Sequence, residues 1–565
     1  MKKIFNILLV LFMVTPMLST VVFAGNTAKA TVTVSSTYFN GEESDSYGFN
    51  ILGSNYFRLR DIAKNFSGTS SQFDVSWNNK NNAIEIITGQ RYSPEKTDDS
   101  VYYSRNRTYN ATISTSKVLV DGNLKSITAY NIDGNNYFQL RDLADKIPFE
   151  IEYDIQSNKI SLFSQTIKNT KRVKTAFNAT SNGVSSYFPR WRSTVTSYLV
   201  NNNDQTVSVI EANKELTIET YNEKYELIAN KSIAFELPLF GGFYSGEKYN
   251  YIAFGQGNRE ENDKKEVIRI VRYDKSFNRI DSVSIKGGES YTVEPFDAGS
   301  GRMAEHGDTL VFHTSRTRYT TEDKLNHQSQ LTIIVNTSTM TVTNDMGRFQ
   351  KNHVSHSFDQ YVLFDGNTHV LVDHGDAYPR SIALNKGDGT SYSEVDLFNI
   401  PGKIGANTTG VSIGGFEMST ANYIVAMNTI DHSLVREFTS FDMVGLETDQ
   451  RDIILSILPK TNVTSDSVKH ITLAKYIGTS LIASIPKLVK VTDDKMIVLW
   501  QEFDKNNHPG DLKYVLIDGD GNATGKINTI KNFALSESNP ILVGDKIVWY
   551  TDNNGYRMFY SIPIN

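Results

Sequence analysis

From about residue 175 to its C-terminus the chain alternates short apolar runs with clusters of Gly, Asn, Asp and Ser. Residues 309–313, 331–336, 360–364 and 369–372 are β-branched or aromatic runs of this kind, as are 249–254 with 267–273 and 546–550 with 556–560. Runs of this length bounded by turn formers predict antiparallel strands. Only 473–485 suggests a helical period beyond two turns. The turn phrases echo each other, YDKSFN at 273–278 and IDGDGN at 517–522. Radial repetition of four-stranded meanders fits such a pattern, so 175–565 is expected to form a β-propeller of about seven blades. Six or eight blades also fit the length, and paired β-sandwiches or a β-helix are the alternative. A strand from near residues 175–200 is expected to complete the sheet containing 546–562 and hide its edge.

Upstream the pattern changes and repeats. Residues 49–63 (FNILGSNYFRLRDIA) recur at 130–144 (YNIDGNNYFQLRDLA), an offset of 81 that also carries 38–41 onto 119–122. A match of this length marks a duplication. Each copy reads as strand, turn, strand, short helix and hairpin. Leu59, Ile62 and Ala63, with Leu140, Leu143 and Ala144 in the second copy, share one helix face. Phe73, Val75 and Trp77, and likewise Phe149, Ile151 and Tyr153, share one strand face by alternation. Arg60/Asp61 and Arg141/Asp142 are expected to fix the helix edge rather than to catalyse.

The NYFxLRDLA, FxVxW and NxIxL pattern, covering roughly 30–165, resembles the stalk-like N-terminal domain of some copper amine oxidases, often duplicated in secreted and wall-associated proteins of Gram-positive bacteria. The resemblance implies an extracellular spacer or attachment module and brings no oxidase chemistry. The expected organisation is a signal peptide at 1–24, small α+β modules at 30–90 and 112–164, a polar linker at 165–174 and the propeller at 175–565.

Lys2 and Lys3, an apolar run and Val22-Phe23-Ala24 before Gly25 compose an export signal. The protein is therefore expected to be secreted, extracellular or associated with the cell wall. No later apolar run approaches the ~20 residues of a membrane span. With 57 basic and 63 acidic residues the net charge is -6, and no basic patch is evident, which argues against a nucleic-acid partner. The absence of cysteine excludes disulfides, thiolate nucleophiles and Cys-ligated zinc.

Candidate chemistry gathers in 301–380, which holds seven of the ten histidines. His-Gly-Asp occurs at 306–308 and again 68 residues later at 374–376. If the two triplets occupy equivalent blade positions, His306, Asp308, His374 and Asp376 converge and could hold a divalent cation. The plainer reading is that each triplet caps a turn. Arg316, Arg318 and Arg380 could bind a carboxylate or sulfate, with His306, His356 and His374 beside them. His356, His374 and Tyr378, or Tyr319, are the candidates for proton transfer on a uronic-acid polymer. Asp518, Asp520 and Asn522 resemble a calcium loop but lack its closing glutamate, and a hairpin turn is the expectation. Trp191 could stack on a sugar if exposed, whereas the surroundings of Trp500 and Trp549 suggest core. The function expected is a surface-associated, noncatalytic propeller binding a glycan or surface protein. The alternatives are a lyase-like enzyme acting on acidic polysaccharide and a purely architectural envelope part.

Overall fold

The computed structural model describes residues 27–94, 103–154, 157–179, 181–202, 204–440, 442–444, 450–553 and 555–564. The expected export signal lies outside the described residues. The chain divides into two compact units, one comprising most residues up to 164 and the other chiefly 165–565.

In the first unit the two sequence copies interlock. A closed barrel runs in the order Thr27–Val32, Gly48–Ile51, Ser54–Arg58, Asn135–Gln139, Ala129–Ile132, Thr108–Ile113, with three strands from each copy. The copies meet where Phe57 opposes Phe138 and where Ala30 opposes Tyr109. Each copy's hairpin leaves its own repeat: Phe73–Asn78 and Ala83–Thr88 share a sheet with Lys117–Val120 and Asn123–Lys125, while Phe149–Asp154 and Lys159–Ser164 join Ser36–Phe39 and Glu42–Ser44. Aromatic edges fill the barrel, with Phe49 5.0 Å from Tyr137 and Tyr56 5.2 Å from Tyr130. The helix Leu59–Phe66 buries Leu59, Ile62, Ala63 and Phe66, and Leu140–Ala144 buries Leu140 and Leu143, the spacing expected of one apolar face. Phe73 and Val75 are buried, but Trp77 and Tyr153, the last members of their alternating triplets, are 42% and 54% exposed. Asp61 is held by Arg58 (Nε–Oδ1 2.9 Å), an i,i+3 pair across the strand-to-helix junction.

The second unit is almost wholly β-sheet and propeller-like: successive antiparallel meanders whose strands follow one another in chain order. The first comprises Ser197–Asn201, Val207–Ala212, Glu215–Tyr221 and Leu227–Ala234; the second, Leu239–Ser245, Asn250–Gly255, Glu266–Tyr273 and Arg279–Lys286. Arg302–His306, Thr309–Arg318, Gln328–Asn336 and Thr341–Val342 form the third, with Thr292–Pro295 added to the far end of Thr309–Arg318. Ser355–Asp365, Thr368–Ala377, Ser381–Gly387 and Tyr392–Asn399 follow, joined to the third through Ser329 and Ser355. Next come Val411–Met418, Asn422–Thr429, Asp452–Pro459 and Lys469–Ala474, then Lys487–Thr492, Lys495–Asp504, Pro509–Asp518 and Asn528–Ile530. Consecutive meanders bury apolar faces against each other, as Tyr251, Ile268 and Ile270 do against Leu310, Phe312 and Ile333.

The last sheet joins both ends of this unit. Thr170–Lys174 pairs with Tyr556–Pro563, which continues to Lys546–Asn553 and Ile541–Val543. The closing strand was expected from 175–200; it comes instead from the stretch read as a linker. Its lysines suit an edge position, where charge discourages further pairing. Residues 473–485 are not helical. Asp452 accepts from the backbone N–H groups of Tyr476 and Ile477, and Gly478 adopts φ 82°, which turns the chain into the short strand Leu481–Ala483.

Candidate functional site

The two His-Gly-Asp triplets occupy different places in their meanders. Gly307 (φ 56°) is the hairpin turn between Arg302–His306 and Thr309–Arg318. The matching turn of the next meander is Gly366 (φ 60°), between Asp365 and Thr368. The His306 ring lies 5.6 Å from Phe364, which opposes His369. His374 is five residues further along that strand, roughly 16 Å at strand rise. His306 and Asp308 are exposed at one end of the sheets, whereas His374 and Asp376 are buried towards the other. The four do not converge, and among the described residues no group of three or more His, Asp or Glu side chains could hold a metal ion. Gly375 is there for close approach: a Cβ would meet the Pro379 carbonyl oxygen at 2.4 Å.

His374 is 4% exposed, with Nε2 2.9 Å from Thr409 Oγ1; burial, then the charges of Arg451, Arg380 and Arg192, pull its pKa down to about 3. It is a neutral core imidazole. Arg380 is also buried and donates to the carbonyls of Pro401, Ala406 and Thr408, so it braces the 400–408 loop. Tyr319 is buried and accepts from Asn258 Nδ2 at 3.0 Å. His313 links the adjacent sheets from inside: Nε2 lies 3.1 Å from Asp373 Oδ2, and Asp373 Oδ1 accepts from Ser357 Oγ at 2.6 Å. All three are fully buried, which makes this a satisfied polar core rather than a reactive triad.

His356 is different. It sits at φ 53° near the start of Ser355–Asp365, just before that strand's bulge, with Nδ1 3.0 Å from Asp376 Oδ1 and 28% of its side chain exposed. Asp376 is fully buried, and its Oδ2 has no hydrogen-bond partner among the described residues. Left-handed backbone at a non-glycine residue costs on the order of 1–3 kcal/mol and recurs where function over-determines the conformation. Tyr378 (φ 45°) is 71% exposed on the neighbouring strand exit, where its carbonyl accepts from Ser355 N–H.

A segment whose role the sequence did not reveal crosses this side of the unit. Gly183 bridges Ser536, Phe188 lies under Arg451 (4.0 Å), and Arg190 pairs with Asp442 at 3.5 Å. Arg192 N–H then donates to the Phe358 carbonyl, its guanidinium lies 3.5 Å from Asp359, and Val195 N–H donates to the Ser300 carbonyl. Burial raises the Asp359 pKa, opposed by Arg192 and Arg302. The segment presents Tyr187 and Trp191, 72% and 47% exposed. Trp191 lies 6.0 Å from Phe358, Phe358 stacks at 6.4 Å on His356, and His356 stacks at 6.1 Å on His327. A continuous run of rings therefore reaches the surface. Its sequence signal was the aromatic cluster Tyr187-Phe188-Pro189-Arg190-Trp191 within a polar stretch.

Arg318 extends this run, since its N–H donates to the His327 carbonyl and its guanidinium stacks 4.5 Å from the Phe349 ring. Arg316, 1% exposed, donates to the carbonyls of Ser290 and Gly347; burial and the neighbouring Arg318 both disfavour its charge. The calcium-like phrase is a hairpin turn, as expected: Asp518 Oδ1 accepts from the N–H groups of Asp520 and Asn522. Asp274 does the same for Ser276 and Asn278. Trp500 and Trp549 are fully buried.

No protein-family model matches the chain, and no curated protein matches its sequence. Among solved structures the chain is similar to a Dyadobacter fermentans protein of unknown function (TM-score 0.35, 10% identity, 62% of this chain and 100% of that one). It is also similar to BamB from Moraxella catarrhalis (TM-score 0.31, 9% identity, 69% and 100%). A third is the β-propeller domain of the trilobed protease from Pyrococcus furiosus (TM-score 0.30, 12% identity, 74% and 95%). Among the described residues no helix is long and apolar enough to cross a membrane.

Proposed function

We propose that residues 165–565 close into a seven-bladed propeller that binds a glycan across the aromatic face around Trp191, Phe358, His356 and His327. The protein is exported and held at the cell surface, and the interlocked N-terminal unit, which resembles the amine-oxidase stalk, acts as its spacer. Contacts between inner strands support the ring. They run from Leu239–Ser245 through Arg302–His306, Ser355–Asp365, Val411–Met418, Lys487–Thr492 and Ile541–Val543 to Ser197–Asn201. The Phe243 N–H donates to the Tyr198 hydroxyl at 3.2 Å across the remaining junction.

The observation that carries the reading is the exposed ring run ending in Trp191, on a unit that also exposes Tyr187 and Tyr378. Flat amphipathic rings at low conformational cost suit stacking against a sugar. Arg380 and His374, expected as ligand groups, are instead engaged in the interior, which favours binding by this rim over chemistry in a charged funnel. A protein ligand on the same rim is the other form of a binding function.

One observation favours a second reading, a lyase acting on acidic polysaccharide. The buried Asp376 carboxylate at His356 Nδ1 orients the imidazole as it would a general base. His356 would take the proton α to the uronate carboxylate; the electron pair would form the double bond as the C–O bond breaks, and Tyr378 would return a proton to the leaving oxygen. A polysaccharide array scored for retention and for new unsaturated ends tests both. Retention without product is expected. Unsaturated ends that disappear in His356→Ala would replace binding by cleavage, and absence of retention on every polymer would refute the glycan reading.

A further inference from the structure

We propose that Arg316, Arg318 and Arg348 form a subsite for the carboxylate or sulfate oxygens of an acidic polysaccharide; this rests on the glycan-binding reading and names the class of glycan. Arg316 and Arg318 alternate on Thr309–Arg318 and so face the same side. They are 1% and 3% exposed, yet the Nε–H of each has no hydrogen-bond partner among the described residues. Donors buried without acceptors are uncommon because each costs desolvation that nothing returns. The charge acting on Arg316 is Arg318, and that acting on Arg318 is Arg348, so the like charges oppose one another, and among the described residues neither Arg316 nor Arg318 is paired with an acid.

Four other arginines of this unit are each paired with an acid: Arg269 with Glu266, Arg272 with Asp281, Arg279 with Glu236 and Arg557 with Asp552. Glu261, which feels Arg348, is occupied by Thr320 and Asn326. The 345–353 loop lies over the cluster at the surface: the Gly347 and Arg348 carbonyls accept from Arg316 and Arg318, and Phe349 is 59% exposed with its ring 5.0 Å from His353. Burial, then Arg318 and Arg316, pull the His353 pKa down to about 4, so it adds no charge at neutral pH. Guanidinium forks match the paired oxygens of carboxylate and sulfate. The cluster adjoins the ring run through the hydrogen bond from Arg318 N–H to His327. A sugar stacked on the rings therefore has a cationic neighbour for its acid group.

The test is calorimetric binding of dextran, dextran sulfate and polygalacturonate to the exported chain, its Arg348→Gln and Arg318→Gln variants, and an Arg259→Gln control. Arg259 is a surface arginine paired with Glu294 at 2.9 Å. We expect dextran sulfate or polygalacturonate to bind more tightly than dextran, and the preferred polymer distinguishes sulfate from carboxylate. Arg348→Gln should weaken that binding about tenfold, the scale of one charge-assisted contact, with Arg259→Gln unchanged. Circular dichroism checks the fold of Arg318→Gln; if it unfolds, Arg348→Gln at the rim decides. Unaltered affinity in Arg348→Gln, or neutral dextran bound as tightly as the polyanions, would overturn the subsite while leaving the glycan reading in place. Failure of every polysaccharide to bind would overturn both.

Discussion

Replacing Arg557 by methionine tests how the two ends of the second unit are held together. The Arg557 guanidinium is 2% exposed and faces three carboxyl groups: Asp552 Oδ1 at 2.7 Å from Nε, Glu211 Oε2 at 3.3 Å from Nη2, and Glu219 Oε2 against Nη1. Nη1 also donates to the Tyr221 hydroxyl at 2.8 Å, and Glu219 in turn accepts from the Phe177 N–H at 3.0 Å. One cation thus connects the last strand, the first meander and the segment after the opening strand. Methionine keeps much of the volume, so the packing loss is small. The Asp552 and Glu219 carboxylates, however, remain buried without their counter-charge, and breaking such a group costs about 3–5 kcal/mol. Urea unfolding followed by tryptophan fluorescence at pH 7.5 should show that loss. Burial of an acid without its counter-ion disfavours the charged form, so the deficit should shrink as pH falls to 5. A loss below about 1 kcal/mol at pH 7.5, or a deficit that widens on acidification, would refute the reasoning.

Two further predictions concern stability. Burial, and then Asp552, push the Glu211 carboxyl up to about 10 from 4.5, so its contribution is complete below pH 4.5 and is lost as pH rises through about 10. Glu211→Gln needs no bound proton and should be more stable than the parent at pH 9 with the difference fading toward pH 5; melting curves showing no gain at pH 9 would contradict this. Leu52 sits at φ 51° in a tight hairpin turn while 67% exposed, where the second copy has Asp133 at φ 48°. Leu52→Asp should therefore stabilise the first unit by roughly 0.5–1 kcal/mol, since Asp tolerates left-handed backbone better; a lower urea midpoint would count against it.

Local features of the fold were legible where local chemistry decides them. The period of Leu59, Ile62 and Ala63 specified a helix face, and Asp518 and Asp274 specified hairpin turns whose carboxylates bond the backbone two and four residues on. What was not legible depends on partners distant in sequence. The 81-residue repeat reads as two modules in series, but nothing local to Ala83–Thr88 says that it pairs with Lys117–Val120 of the other copy. Thr170–Lys174 looks like a solvated linker until Tyr556–Pro563 is beside it. The two His-Gly-Asp triplets show the limit most clearly. The same letters serve a left-handed turn at Gly307 and a close strand approach at Gly375, so equal spelling did not mean equal position. The expected arginine group was split by partners distant in sequence, Arg380 going to the 400–408 carbonyls while Arg316 and Arg318 lie against the 345–353 loop, and the ring run depended on a crossing segment with no periodic signature.

The central claim is that the exposed ring run binds a glycan, and the most direct measurement is the affinity of Trp191→Ala for the polysaccharide retained on the array. Trp77, 42% exposed in the first unit, supplies the control. The account predicts at least about a tenfold loss for Trp191→Ala, the size expected of an aromatic anchor, and parental affinity for Trp77→Ala. Unchanged binding in Trp191→Ala, or equal losses in both variants, would contradict it.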